Sequence, residues 1–566
     1  MLFYSNTYKA KIADPFVLDN TKIDGYYYMY GTDNSNDDAA IGCYRSENLM
    51  DWEDMGYAID RTVSDEIKKV LKADVWAPEV VYDNESETYY IFFSARPEPI
   101  STGDQEIDLS NVKNGNNATY ILMVAKSKSP DRDFTLVNFM NPDSCGADNL
   151  REIDKQKYPE YYAKYAFFDP GKLGEFYRAE KTYEKKDDVP RGKYIPAIDP
   201  NPYEDETGKY LLWVDQDYDD RICAVKMKNW LTPDWDTATV LTCANYFTPS
   251  DYVNAGNADT VPYDLLGGLG DYYINEGPEL IKHDGNYYLT YSTGGFAKET
   301  YQIIQAVAKP DENGGPLGNY HKLKESEGAI LLSTLRAGNT KVTGAGHHSF
   351  VTAGGKLYIV YHRHDDPKRP SGDRNPGIDE VKWINNSEGI PVMYVNGPTC
   401  TPQPRLDAFS KYTNIAGDAQ VSADSNDVSN IDCLTDGFLS ISNDITSNIV
   451  NKVGETTITS NTTFTFAFDS LRDVRGIMVY NSKQRSTIFE NISKIEIVYE
   501  ENGTKETRII ENVVFESKYY KDDYVTLGAA AYVEFASLKV ESVKITIDVP
   551  NGQKSVGISE IKILGK

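Results

Sequence analysis

The sequence predicts an all-β chain: a five-bladed β-propeller over residues 1–404, then a β-sandwich of jelly-roll type over residues 405–566. Three observations carry that expectation. First, one phrase recurs five times, opening on a turn residue and closing on a tight apolar-aromatic strand. Its copies run from Asp14-Pro15 to Tyr26–Tyr30, Ala77-Pro78 to Tyr89–Phe93, Asp199-Pro200 to Tyr210–Trp213, Glu276-Gly277-Pro278 to Tyr287–Tyr291, and Gly346-His347-His348 to Leu357–Tyr361. Turn pairs such as Asp24-Gly25, Asp284-Gly285 and Gly354-Gly355 sit between two strand-like runs, which is a hairpin signal. Second, the openings fall at residues 14, 77, 199, 276 and 347, and a four-stranded unit repeated at tens of residues builds a propeller. Third, composition shifts at Gly397-Pro398-Thr399-Cys400-Thr401-Pro402-Gln403-Pro404. Beyond it, alternating runs such as Lys494–Tyr499 and Val543–Ile547 read as sandwich strands.

The first repeat covers about residues 10–70, with Ile41–Ser46 as its third strand and Asp51-Trp52 in the following turn. The second begins at Asp74 and carries a strand at Tyr120–Ala125. A polar Tyr/Lys/Glu-rich insertion fills about 143–195; Arg151 to Tyr165 is its helix candidate. Insertions of that length in repeat proteins project from one face, often the binding face. The third, fourth and fifth repeats run from Ile195, Ile274 and Thr343.

A net charge of −28 over 566 residues and a pI near 4.7 exclude nucleic acid and anionic membrane as partners, which need a basic footprint. No apolar stretch approaches the roughly 20 residues of a membrane helix. No basic and apolar leader precedes Asp14, so a cytoplasmic location is expected. The six cysteines, at 43, 145, 223, 243, 400 and 433, show neither paired nor metal-like spacing and read as buried free thiols. The 42 tyrosines read chiefly as packing between sheets.

Three of the five openings carry a carboxylate: Asp14, Asp199 and Glu276. Read at one repeat phase, they converge on the central channel of a propeller. Proline after Asp14 and Asp199 keeps each aspartate extended, and a rigid strand start suits a catalytic group. Glycoside hydrolysis needs two carboxyls, one giving a proton to the leaving oxygen and the other activating water or attacking directly. A third carboxylate raises the acid's pKa by like-charge repulsion. Asp and Glu also open ordinary turns, but three in register within five repeats tell against that reading.

Ala13-Asp14-Pro15, Ile198-Asp199-Pro200 with Asp205–Tyr210, and Asn275-Glu276-Gly277-Pro278 with Gly285–Tyr288 closely resemble the three signature stretches of glycoside hydrolase family 43. The resemblance covers about residues 10–400. It implies a five-bladed propeller acting, with inversion of configuration, on arabinose- and xylose-containing plant polysaccharides. Carried over, Asp14 is the general base, Asp199 tunes the acid and orients the sugar, and Glu276 is the general acid. Glu279 is the rival acid, placed on the opposite strand face by alternation. Gly344-Ala345-Gly346-His347 resembles the family's Gly-x-Gly-His, which implies His347 on the channel axis near substrate, helping to hold a hydrated structural Ca2+. His348 is expected to point into its blade. Arg363 either hydrogen-bonds a sugar, holds Asp14 ionised or forms a surface salt bridge. Trp76 forms an apolar wall of the pocket or packs between blades.

Leu434-Thr435-Asp436-Gly437 and Val556–Gly565 resemble discoidin-like, galactose-binding-type domains; carbohydrate binding and structural support of the propeller both stay open. The implied activity is an exo-acting α-L-arabinofuranosidase on arabinoxylan or its oligosaccharides. The alternatives are a β-1,4-xylosidase, an endo-arabinanase, for which the long insertion is ill suited, and a sugar-binding propeller without catalysis.

Overall fold

A computed structural model of the chain describes residues 2–6, 10–33, 40–60, 71, 73–96, 120–152, 164–179, 197–215, 220–244, 274–334, 341–366, 373–440, 453–515 and 525–566. The fold is an all-β five-bladed propeller followed by a β-sandwich. Each blade is an antiparallel meander cut from one contiguous piece of chain. Blade one is Ile12–Asp19, Tyr27–Asp33, Ala40–Ser46 and Glu53–Asp60. Blade two is Ala73–Asp83, Thr88–Arg96, Ile121–Ser127 and Thr135–Leu136. Blade three is Ile198–Asp205, Gly208–Asp215, Arg221–Asn229 and Thr232–Cys243. Blade four opens with Glu276–His283, Asn286–Thr293 and Gln302–Ala308, and two short strands, His321–Lys322 and Ile330–Ser333, share its outer position. Blade five is Thr343–Ala353, Lys356–His364, Arg374–Asn385 and Pro391–Val395.

Second strands are buried on both faces, as in Tyr27–Asp33 and Asn286–Thr293, because a blade is covered by its neighbours. That is where the tyrosines go: Tyr30, Tyr210, Tyr287, Tyr288, Tyr291, Tyr301 and Tyr320 are all essentially inaccessible. The ring closes by packing of Ile12, Val17 and Met29 against Val351, Tyr358 and Val360, without a strand exchanged between the first and last blades.

The five inner strands share a device that places the site. One residue in each adopts the left-handed region: Asp14 (φ 51°), Ala77 (48°), Asp199 (50°), Gly277 (57°) and His347 (39°). A register shift accompanies each. For a residue with a Cβ this conformation costs roughly 1–2 kcal/mol, so neighbouring structure must hold it. In four blades the backbone N–H of that residue donates to a side chain on the second strand of the preceding blade. The pairs are Asp14 to His362 Nδ1 (3.2 Å), Ala77 to Thr32 Oγ1 (3.0 Å), Asp199 to Ser94 Oγ (2.9 Å) and His347 to Ser292 Oγ (2.7 Å). Blade three offers Val214 at the equivalent position, opposite Ile198. There the Gly277 N–H donates to Asp199 Oδ2 instead (3.0 Å).

This register corrects the expectation that Asp14, Asp199 and Glu276 share one phase. Glu276 pairs with Ser292 as Ala13 pairs with Thr32 and Trp76 with Ser94, so it stands one residue earlier and Gly277 is the equivalent of the two aspartates.

Of the insertion, the candidate helix lies largely outside the described residues. The described parts form short helices, Pro142–Cys145, N-capped by Asn141, and Pro170–Ala179. Within the described parts, Phe167, Phe168, Leu173, Phe176 and Tyr177 enter one core with Phe92 of blade two and Trp213 of blade three. Trp213 Nε1 donates to Tyr177 Oη (2.8 Å). Aromatic side chains dominate because each buried ring contributes roughly 1.5–3 kcal/mol.

The C-terminal strands form one hydrogen-bonded network around a single apolar core. Its long members, Thr462–Asn481 and Ala530–Ile547, pair with each other across register shifts and with different neighbours towards their two ends. The two units are tied together: Phe3–Tyr4 pairs with Gln403–Pro404, Tyr480 Oη donates to Gln403 Oε1 (2.6 Å), and Tyr394 Oη donates to the Leu439 carbonyl (2.6 Å). All six cysteines are free, and four are buried. Among the described residues no helix is long and apolar enough to cross a membrane.

Candidate active site

Asp14, Asp199 and Glu276 meet at the channel mouth, where the inner strands of blades one, three and four begin. Asp14 and Asp199 are 7% and 6% exposed, and Glu276 is half-buried. Their surroundings differ sharply.

Asp14 is encircled by a hydroxyl, a guanidinium and two imidazole nitrogens. Thr32 Oγ1 donates to its Oδ2 (2.7 Å) and Arg374 Nη1 to its Oδ1 (3.2 Å). His362 Nδ1 and His347 Nδ1 lie 3.1 Å and 3.5 Å from the same Oδ1. Burial alone would raise the Asp14 pKa, but Arg374, His347 and His362 outweigh it and hold the carboxyl well below its ordinary value. The rings of His347 and His362 are themselves pushed down by burial, His362 to about 3, so Arg374 is the resident positive charge.

Glu276 is the opposite case. Burial pushes its pKa up to about 7, the Asp14 charge adds to that, and the hydrogen bond from Tyr301 Oη to its Oε1 (2.7 Å) and Arg374 only partly oppose it. A carboxyl so tuned holds its proton near neutrality. Burial raises Asp199 as well, reinforced by Glu276 and Asp14, while the Gly277 N–H opposes the rise. Gly277 has to be glycine: its φ is positive, and an added Cβ would sit 3.0 Å from the His347 ring.

One carboxylate held ionised, one kept protonated and a third between them suit acid-base cleavage of a glycosidic bond. The family model for glycosyl hydrolases family 43 matches residues 6–154 and 177–389, most of the chain and all three carboxylates. The chain belongs to glycosyl hydrolases family 43. It is therefore a glycoside hydrolase, and its substrate is a carbohydrate.

A curated relative, named β-D-galactofuranosidase xynD from Aspergillus niger, is 29% identical to this family 43 chain over 137 residues, covering 23% of this chain and 36% of the relative. The match thus spans about a third of that protein's length. Among solved structures, a thermostable family-43 glycoside hydrolase is 25% identical, covering 71% of this chain and 98% of its own at a TM-score of 0.45. An α-L-arabinofuranosidase from Lactobacillus brevis is 18% identical (69% and 95% covered, TM-score 0.42). An exo-β-1,3-galactanase from Phanerochaete chrysosporium is 14% identical (100% and 99% covered, TM-score 0.43).

The other expected site residues fall into place unevenly. Trp76 stands one residue before Ala77, whose N–H bonds the threonine that donates to Asp14, and its indole stacks on Tyr120 at 4.9 Å. His348 turns between blades, with Nε2 2.7 Å from Thr290 Oγ1. The assignment of Arg363 to substrate or to Asp14 is corrected. Its guanidinium is buried and spent on the Thr399 carbonyl (2.7 Å), the Asn6 carbonyl (2.7 Å) and Asp365 (3.1 Å). Strand alternation aims residue 363 away from the face that carries His362, and Arg374 on the third strand of blade five supplies the charge.

His347 does not reach a calcium-binding set. Its Nδ1 faces Asp14, and among the described residues no group of three or more His, Cys, Asp or Glu side chains is placed to hold a metal ion. Calcium takes roughly six to eight oxygen ligands, so an ion beside His347 would be held chiefly through waters.

Glu279 lies deeper along its strand. There it meets Glu79 across Asn201, whose Nδ2 donates to Glu79 Oε2 (2.8 Å) and Glu279 Oε2 (3.2 Å). Arg374, His362, Tyr301 and the Glu79–Asn201 pair escaped the sequence reading. Repeat phase was the available signal for the last pair, since Glu79, Asn201 and Glu279 each stand two residues after the left-handed position.

Proposed function

We propose that this family 43 member is an inverting exo-glycosidase that releases terminal α-L-arabinofuranosyl units from arabinoxylan or arabino-xylooligosaccharides. The contrast between Asp14 and Glu276 carries the reading. Ionised Asp14 takes a proton from water as the water attacks the anomeric carbon. Protonated Glu276 gives its proton to the leaving oxygen as that bond breaks. Asp199, fixed by the Gly277 N–H, orients the sugar beside the acid. Trp76 supplies an apolar wall, and the chemistry requires no cofactor.

The furanoside preference is supported by the relative named β-D-galactofuranosidase. β-D-galactofuranose and α-L-arabinofuranose carry the same ring stereochemistry and differ in exocyclic chain length, so one pocket shape suits both.

The test is hydrolysis of 4-nitrophenyl α-L-arabinofuranoside and β-D-xyloside by the wild type, and of an arabinose-substituted xylo-oligosaccharide, whose leaving oxygen needs a proton, by the wild type and by Glu276→Ala. The reading expects preference for the arabinofuranoside and an inactive variant. A xyloside preference would move the assignment to a β-xylosidase with the same residues in the same roles. An unimpaired variant would remove Glu276 as the acid.

A further inference from the structure

Phe296 is a large apolar residue left half in solvent, 50% exposed, on the turn between the second and third strands of blade four. That turn is not a loose loop. Lys298 N–H donates to the Gly295 carbonyl (2.9 Å), Tyr301 N–H donates to the Lys298 carbonyl (3.2 Å), and His364 Nε2 lies 2.9 Å from the Phe296 carbonyl. One face of the ring is covered by Arg374, whose Cζ lies 4.9 Å from the ring centroid. The same guanidinium bonds Asp14, and the turn ends at Tyr301, which bonds Glu276. An exposed aromatic ring is therefore held rigidly between the groups that serve the base and the acid.

We propose that Phe296 is a specificity-determining residue that stacks on the sugar unit next to the cleaved bond, on the leaving-group side. This rests on the exo-glycosidase reading above. The terminal sugar must occupy the enclosed end, where Asp14 and Asp199 are buried. Glu276, more open than either, faces the leaving oxygen, and Phe296 shares a turn with the tyrosine that positions it. With one ring face on Arg374, the other presents an apolar surface to the C–H face of a sugar ring. A ring fixed by a cation–π contact loses little freedom on binding.

The experiment compares Phe296→Ala, Phe296→Leu and Phe296→Trp with the wild type on an arabinose-substituted xylo-oligosaccharide, with free L-arabinose as competitive inhibitor. For Phe296→Ala, KM for the oligosaccharide should rise about tenfold, the size of one lost stacking contact. The inhibition constant of L-arabinose should stay within about twofold, Phe296→Trp should restore KM, and Phe296→Leu should not. Melting temperature should be unchanged for a half-exposed side chain. An unchanged oligosaccharide KM in Phe296→Ala overturns the proposal. Equal weakening of oligosaccharide and free sugar also overturns it, because Phe296 would then act through Arg374 on the terminal unit. A wild type that cleaves no arabinofuranoside fails the underlying reading instead, and the two failures are told apart by that control.

Discussion

Two clusters of acids stand on the inner strands of neighbouring blades, and the strand Glu276–His283 carries a member of each. At the mouth are Asp14, Asp199 and Glu276; deeper are Glu79 and Glu279, joined by Asn201. Both clusters are shielded from water, and burial raises the pKa of Glu79, Glu279, Asp199 and Glu276 alike. Only the mouth has Arg374, two imidazoles and a threonine gathered on one member, and only there does a carboxyl fall well below its ordinary value. The deeper pair has an amide between its members and, among the described residues, no ion pair at either. Burial alone therefore produces neutral acids; an acid-base couple needs burial of one carboxyl and an arginine on another. The mouth alone sets a carboxyl held ionised beside one kept protonated.

The largest expected effect comes from removing the mouth carboxylates. Asp14→Asn and Glu276→Ala should each lower kcat on oligosaccharide by roughly 10²–10⁴-fold, the usual contribution of a general acid or base, measured by release of terminal sugar. Next is Arg374→Met. It removes the main cation holding Asp14 ionised, so the acid limb of the kcat/KM profile should move to higher pH while activity falls at least about tenfold; a fixed limb would mean that the histidines suffice. Smaller is Val214→Thr, which offers Gly277 N–H a hydroxyl of the kind that Thr32, Ser94 and Ser292 provide in blades one, two and four. Asp199 would then lose its backbone donor, and kcat/KM should fall several-fold with no loss of melting temperature.

The deeper pair should answer through stability rather than rate. Glu79 and Glu279 have raised pKa values in the folded state, so folding favours their protonated forms. Their contribution is complete below the unfolded carboxyl's pKa, roughly 4.3, and is lost progressively as pH rises towards the raised folded values. Glu79→Gln and Glu279→Gln keep the Asn201 hydrogen bonds and remove that loss. Their melting temperatures should decline less than the wild type's between about pH 5 and pH 8, with kcat within about twofold because neither group touches the reacting atoms. A large kcat loss would make the lower cluster part of the catalytic apparatus.

Much of this was legible in the chain itself. Repeated Asp-Pro openings, Gly-containing hairpin turns and aromatic second strands point to five blades, and alternating runs such as Lys494–Tyr499 point to the sandwich strands. The three carboxylates were found because they sit at or beside the one backbone position that every blade repeats. What escaped lies off that position. Arg374 comes from a third strand, whose ladder places it opposite His364. Tyr301 reaches Glu276 from another. Arg363 misses Asp14 by one residue, and His362 meets it, because strand alternation reverses a side chain's direction at every step. The phase offset of Glu276 depends on a bulge, which changes the count of residues along one strand and leaves no mark in composition. The insertion's inward packing depends on Phe167, Phe168 and Phe176, whose burial only the neighbouring blades decide.

The central claim is that Glu276 holds the proton and Asp14 does not. It is tested most directly by kcat/KM against pH for the wild type, Glu276→Gln and Asp14→Asn, on aryl arabinofuranosides with a strongly and a weakly acidic phenol as leaving group. The account predicts that Glu276→Gln recovers towards wild type on the strongly acidic phenol, which leaves without a proton, and loses the alkaline limb that the wild type shows near the Glu276 pKa of about 7. Asp14→Asn should stay inactive on both. Equal impairment of Glu276→Gln on the two leaving groups, or survival of its alkaline limb, would contradict the assignment.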